Sequence, residues 1–325
     1  MQIEDIGGEF ALIDRLARLV AGQHADLIVG VGDDAAVIRT APPPAPYLLV
    51  TTDILVEDRH FTRQWSRAEK IGIKAVECNV SDIAAMGGNP SWMFISLVLS
   101  ESTDLPWAEA LYKGIAEACS RHSVILAGGD TTRGTANVIN ITLLGEVDPA
   151  YLCLRSGAKA GDRLAVTGTL GASAAALALL QAGIRPTDYL LEKHLAPTCR
   201  LREAQVIAPL ANAMIDISDG LGSEVRHICK QSRLTARVHN AALPIHPDVA
   251  AAADRLSLVS RDFALSGGED FELLFSIAPE KIDDLTATGV PFYDIGEVID
   301  GTGSPGLIAA DGSLSPLPGG FDHFK

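Results

Sequence analysis

The sequence is short of positive charge: 26 Lys and Arg stand against 41 Asp and Glu, a formal net charge of −15. A nucleic-acid binder needs a basic stripe to meet phosphates, so the balance argues against one. It does not argue against a nucleotide, because bridging metal ions invert the local electrostatics. Long apolar runs are missing too. None approaches the ~18 residues a membrane helix needs, and the Ala/Leu-rich Leu170–Leu180 reads as a buried helix. The five cysteines (78, 119, 153, 199, 229) include no Cys-x-x-Cys pair, and their odd number suits reduced thiols. Met1-Gln2-Ile3-Glu4-Asp5 is acidic where a secretory leader would be basic. A cytoplasmic protein is the expectation.

What the sequence has instead is acid in unusual places. Gly30-Val31-Gly32-Asp33-Asp34-Ala35-Ala36 sets two adjacent carboxylates between an apolar run and small residues. Such neighbours repel, and one is neutralised unless a cation sits between them. Similar settings recur at Thr51-Thr52-Asp53, Ser81-Asp82, Gly128-Gly129-Asp130-Thr131, Asp216-Ile217-Ser218-Asp219-Gly220 and Gly267-Gly268-Glu269-Asp270. Most follow an apolar, strand-like run. Mg²⁺ is held by a few carboxylates plus substrate phosphates, so a Mg·ATP site built from acidic turns is the reading.

At 325 residues the chain has room for two domains, at roughly 100–200 residues each. Apolar periodicity predicts helices over Glu9–Val20, Ala68–Met86, Trp107–Arg121, Ala172–Ala182, Glu224–Gln231 and Pro279–Thr288. Strands are predicted at Leu27–Val31, Ala35–Ile38, Tyr47–Thr52, Ser91–Leu99, Val124–Ala127, Val138–Gly145, Arg163–Thr167, Ala213–Ile217, Phe271–Ser276 and Phe292–Val298. Pro42–Pro46 is a loop. The pattern restarts after Pro149, which divides the chain into domains at 1–148 and 149–325.

The acidic stretches together resemble those of the thiamine-monophosphate kinases, in the superfamily shared with aminoimidazole ribonucleotide synthetase and selenophosphate synthetase. The resemblance rests on GDDAA (32–36), TTD (51–53), His60-Phe61, NVSDIAAMGG (79–88), GGDTTRG (128–134), DISDGL (216–221), SGGEDFELLF (266–275) and GFDHF (320–324). Each alone is ordinary turn chemistry, but they run in the family's order over nearly the whole chain. The resemblance implies an α/β (α+β) fold of two domains: an N-terminal mixed-sheet domain that dimerises through its sheet, and a C-terminal α/β domain. The active site would lie in the cleft between them. It further implies transfer of the ATP γ-phosphoryl group to the phosphate of thiamine monophosphate, with several Mg²⁺ ions and no dedicated base. By resemblance, Asp34, Thr51, Thr52, Asp53, Asp82, Asp130, Asp216 and Asp219 are Mg²⁺ ligands. Gly129, Asp130, Arg155 and Ser218 meet ATP, and His60, Glu269 and Phe321 meet thiamine monophosphate.

The Asp33-Asp34 pair is read as metal-binding, with Asp33 alternatively a residue that caps or orients its loop, and Phe321 serves equally as an anchor on the core. Asp58 departs from the family's Val-Glu-Gly-x-His-Phe, where Gly precedes x-His. The rivals are another ATP-using member of the superfamily and a non-catalytic metal- or nucleotide-binding relative. The absence of a Cys in the first 30 residues and of a Cys-bearing tail argues against selenophosphate synthetase and hydrogenase-maturation relatives.

Overall fold

The computed structural model describes residues 9–20, 24–42 and 44–322. In the first half, α1 (Glu9–Leu19) precedes β1 (Leu27–Val29), β2 (Ala36–Arg39), β3 (Tyr47–Val56), α2 (Ala68–Ala85), β4 (Asn89–Ser100), α3 (Leu105–His122), β5 (Ile125–Gly134) and β6 (Val138–Val147). The strands form one mixed sheet in the order β1-β2-β3-β6-β4-β5, with only β4 and β5 parallel. Strand alternation buries Leu49, Met93, Ile95, Ile139, Ile141 and Leu143 on one face. The other face leaves Ile54, Trp92 and Phe94 exposed, and β5 at the edge is exposed along nearly its whole length.

The second half runs β7 (Arg163–Val166), α4 (Ala172–Gln181), α5 (Asp188–Leu195), α6 (Leu201–Ile207), β8 (Ala211–Asp216), α7 (Leu221–Ser232), β9 (Thr235–His239), α8 (Pro247–Leu256), α9 (Ser260–Ser266), β10 (Leu273–Ile277), α10 (Ile282–Ala287), β11 (Tyr293–Ile299), β12 (Gly306–Ile308) and β13 (Leu314–Pro316). Its sheet has the order β13-β12-β9-β11-β7-β10-β8. One hydrophobic core spans both halves, joining Ile95 and Ile141 to Ile207, Phe275 and Ile277. No described helix is long and apolar enough to cross a membrane.

α2 organises the molecule. It ends in a turn where Gly87, at φ 74°, and Gly88 return their N–H groups to the Ala84 and Ile83 carbonyls at 2.8 and 2.9 Å. A surface helix carries an apolar stripe, but α2 is buried on nearly every side, including Lys74, Glu77, Asn79 and Ser81. Each of those polar groups must find a partner or cost stability. α3 starts where Asp104 accepts from Trp107 N at 2.9 Å and stops at Ser123, in the left-handed region. It crosses α2 at glycine: a Cβ on Gly114 would lie 1.8 Å from Glu69 O, and one on Gly72 2.2 Å from Leu111 O.

Several sequence expectations change. Tyr47–Thr52 was to end at Asp53, yet β3 continues to Val56 because Asp53 pairs with Ile141 and Val56 with Val138 of β6. Gly128-Gly129-Asp130 was to follow a strand as a turn. It is strand itself, because β4 supplies a parallel partner, Ile95, to Gly129. Pro279–Thr288 splits into a 3₁₀ turn and the shorter α10. α5, α6, β9, α8, α9, β12 and β13 were not predicted. Pro43 of the proline loop lies outside the described residues, as do His323 and Phe324 of the terminal motif.

Candidate active site

Three carboxylates from distant stretches converge. Asp34 follows the turn before β2, Asp82 lies near the end of α2, and Asp216 ends β8. One oxygen from each lies within 4.8 Å of the others. Short polar side chains hold them there. Thr51 Oγ1 donates to Asp82 Oδ2, and Ser81 Oγ donates to Asp216 Oδ2 at 2.6 Å. Asn79 accepts from Asp53 N at 3.2 Å while donating to Ala75 O at 3.0 Å. Helical spacing thus places Asn79 and Asp82 toward β3, and the intervening Ser81 toward β8.

The electrostatics are those of crowded acids. Burial and then the Asp53 and Asp216 charges raise Asp82 well above the ordinary carboxylate range. Burial and then Asp34 push Asp216 up to about 8 and Asp53 up to about 6. Burial and a nearby Glu9 bring Asp219 to about 7. Among the described residues, Arg155 brings a cation to this site. Its guanidinium contacts Asp34 Oδ1 and donates to Gly32 O at 3.3 Å. Its backbone N–H donates to Asp33 Oδ2 at 3.3 Å, which suits Asp33 as a loop-orienting residue. Asp34 Oδ2 is buried with no hydrogen-bond partner among the described residues. A divalent cation fits this donor set of hard oxygens, one of them unpartnered.

A second set of acids lies alongside, and its two glutamates are answered by protein cations. Glu269 Oε1 is 2.7 Å from Lys74 Nζ, and Oε2 is 3.6 Å from His194 Nδ1. Ser173 Oγ stands 2.9 Å from that same ring nitrogen. Burial opposes ionisation of Glu269, but Lys74 and His194 prevail and its pKa is lowered. Burial and Lys74 take His194 down to about 4, so its ring is neutral at pH 7. Glu272 is clasped by Arg200, by Lys193 at 3.1 Å and by Thr167 at 2.8 Å. Between them, Asp270 accepts from Gly171 N at 2.7 Å, at the start of α4. Glu269 and Phe271 both take left-handed backbone, at φ 66° and 50°, a strain that surrounding contacts must hold.

Glu77, His122 and Cys199 also bring potential ligand atoms within 4.8 Å. Here, however, the Glu77 carboxylate already receives Arg121, His122 at 2.9 Å and Cys199 N at 2.9 Å. The group is a staple between α2, α3 and the segment before α6.

The remaining residues singled out in the sequence scatter more widely. Thr51 and Asp53 share a face of β3, so strand alternation turns the Thr52 side chain to the opposite face. There Thr52 Oγ1 donates to Ile141 O at 3.1 Å and accepts from Asn140 at 3.1 Å. Asp130 is exposed on edge strand β5, its carboxylate accepting from Thr131 N at 2.8 Å. Gly129 packs so closely on β4 that a Cβ would lie 2.0 Å from Ile95 O. Ser218 O accepts from Glu269 N at 2.7 Å, and Asp219 O accepts from Phe321 N at 2.9 Å. His60 Nδ1 accepts from Val56 N at 3.0 Å, and its ring lines a small pocket with Trp65, Lys74 and His194. The site residues Lys74, Asn79, Ser81, Ser173, His194 and Glu224 were not read from the sequence. Glu224 is buried and accepts from Asp219 N at 3.0 Å.

Residues 32–147 match the family described as AIR synthase related protein, N-terminal domain, and residues 159–306 match its C-terminal domain. The chain is 37% identical to the thiamine-monophosphate kinase of Escherichia coli strain K12, over 98% of each protein. It is 36% identical to that of Bacillus subtilis strain 168, covering 93% of this chain and 95% of the relative. A solved structure described as AaThiL complexed with AMPPCP and TMP superposes with a TM-score of 0.87 at 32% identity, covering 99% of both chains.

Proposed function

The chain belongs to the thiamine-monophosphate kinase family, and from that premise we propose how its residues transfer the γ-phosphoryl group of ATP to thiamine monophosphate, giving thiamine diphosphate and ADP. The observation that carries this reading is the likeness, over 99% of the chain, to a relative whose structure holds AMPPCP and TMP.

Both reactants are anions, so positioning and charge neutralisation dominate the chemistry. Asp34, Asp53, Asp82 and Asp216 would hold Mg²⁺, with Asp130 and Asp219 placed toward the nucleotide side. Mg²⁺ bound there supplies charge neutralisation on the phosphate oxygens. Thr51 and Ser81 orient Asp82 and Asp216, Asn79 fixes the backbone at Asp53, and Arg155 keeps Asp34 in place beside the nucleotide. Gly129 and Ser218 line the path of ATP. His60, Glu269 and Phe321 receive thiamine monophosphate. The attacking atom is already a phosphate oxygen, so no residue is assigned as general base.

In this reading the chain comprises units at 1–148 and 149–325, each carrying one of the two sheets, with the site assembled between them. The exposed sheet face carrying Ile54, Trp92 and Phe94 and the unpaired edge of β5 suit a homodimer joined through the first sheet. A cytoplasmic location completes the proposal.

The test is formation of thiamine diphosphate from thiamine monophosphate, ATP and Mg²⁺, with an Asp53→Asn variant in parallel. Product from the parent and a loss of at least about 100-fold in the variant support the reaction and the ligand role. ATP loss that ignores the acceptor counts against it.

A further inference from the structure

Lys74 is 2% exposed and sits in the middle of a helix buried on nearly every side. An ammonium is tolerated in such a place only when charge and hydrogen bonds answer it. Two groups do so. Lys74 Nζ lies 2.7 Å from Glu269 Oε1 and donates to the His60 carbonyl at 3.0 Å. These partners come from opposite halves of the chain: one from the turn after β3, the other from the strained turn before β10.

Neither partner reaches its position by local preference alone. The His60 turn needs a left-handed residue at Asp58, φ 63°, whose N–H donates to Phe61 O at 2.7 Å. Glu269 is itself left-handed, its N–H tied to Ser218 O. The His60 turn lines a small pocket with Trp65, Lys74 and His194, and Glu269 holds two of those lining residues, Lys74 and His194. The aspartate cluster, by contrast, is arranged by Thr51, Asn79, Ser81 and Arg155. Lys74 therefore serves one side of the site.

We infer that Lys74 is a positioning residue for the phosphate acceptor: its buried ammonium bridges the His60 turn and Glu269 so that the acceptor pocket forms only when both halves of the chain meet on α2. The inference rests on the kinase reading above and adds that the acceptor pocket depends on a protein cation of its own, Lys74, as the aspartate cluster depends on Arg155.

Steady-state kinetics of Lys74→Met and Lys74→Gln test it, since KM does not depend on the fraction of protein that folds. The expected result is a KM for thiamine monophosphate raised at least tenfold, with KM for ATP within twofold of the parent. Glu269→Gln should shift the same constant. The Lys74→Met/Glu269→Gln pair should be no worse than the more impaired single variant, because both act through one contact. A lowered melting temperature with unchanged KM for thiamine monophosphate overturns the inference, as do equal rises in both KM values or additive effects in the pair. Parent turnover and calorimetric binding are measured first. A parent that neither converts nor binds thiamine monophosphate overturns the kinase reading and this inference together; an active parent with unshifted variants overturns this inference alone.

Discussion

Two groups of buried and half-buried carboxylates in this protein behave oppositely. Asp53, Asp82 and Asp216 crowd one another, and burial plus mutual repulsion raises their pKa values. Glu77, Glu269 and Glu272 are as deeply set, yet their pKa values are lowered, because Arg121 and His122, Lys74, and Arg200 with Lys193 stand against them. Burial opposes the charged form in both groups. What differs is where the compensating charge comes from. The glutamates meet protein cations; among the described residues the aspartates meet Arg155, and in the proposed reading the rest of their charge is met by Mg²⁺.

The sharpest way to break this comparison is to remove one acid from each group. Asp216→Asn should cost at least about 100-fold in turnover while raising the melting temperature in EDTA, since it removes repulsion. A fall in melting temperature would place Asp216 with the glutamates. Glu272→Gln should do the reverse. It leaves Arg200 and Lys193 facing a neutral group, at a cost of about 3–5 kcal/mol in urea unfolding for a broken buried pair.

pH separates the groups more gently. Asp53, Asp219 and Asp216, at about 6, 7 and 8 against 3.8 unfolded, keep protons that the unfolded chain has already lost. Their contribution to stability is present below pH 4 and lost as pH rises through 6 to 8. The lowered glutamates contribute above their unfolded value of 4.5 and lose that contribution as pH falls below it toward their folded values. Thermal unfolding in EDTA should therefore weaken between pH 6 and 8.5. Mg²⁺ should restore the loss, more so at the higher pH, because its ligands must be deprotonated. A melting temperature flat across that window, with or without Mg²⁺, would contradict the crowded-acid account. The smallest effect is expected at Asp58, which belongs to neither group. Asp58→Gly should relieve left-handed strain and stabilise by up to about 1 kcal/mol, with turnover unchanged within twofold.

Much of the aspartate cluster was legible because each acid stands in a short stretch with Gly, Ser or Thr beside it, a pattern core packing does not produce. Resemblance groups Thr52 with Thr51 and Asp53 as ligands, although a period of two along β3 turns its side chain to the other face. The glutamate group was harder to see. Lys74, Glu77 and Asn79 look like the polar side of an amphipathic helix until both neighbouring layers are known. Ser173 and His194 gain meaning only from Glu269, about 75 to 95 residues further on. The short helices α5, α6, α8 and α9 span 7 to 10 residues, too few turns for a decisive periodicity.

The glycine crossing of α2 and α3 has a consequence for how this sequence can drift. α2 carries Lys74 against Glu269 and the His60 turn, Asp82 in the aspartate cluster, and Asn79 and Ser81 between them, so its axial position sets both groups at once. That position is fixed where Gly72 and Gly114 let two backbones touch. A single methyl at either glycine would push the helix away and misalign four polar side chains together. In a deep mutational library selected for activity, these two sites should be depleted of every other residue as strictly as the aspartates are, although neither has a side chain to contribute.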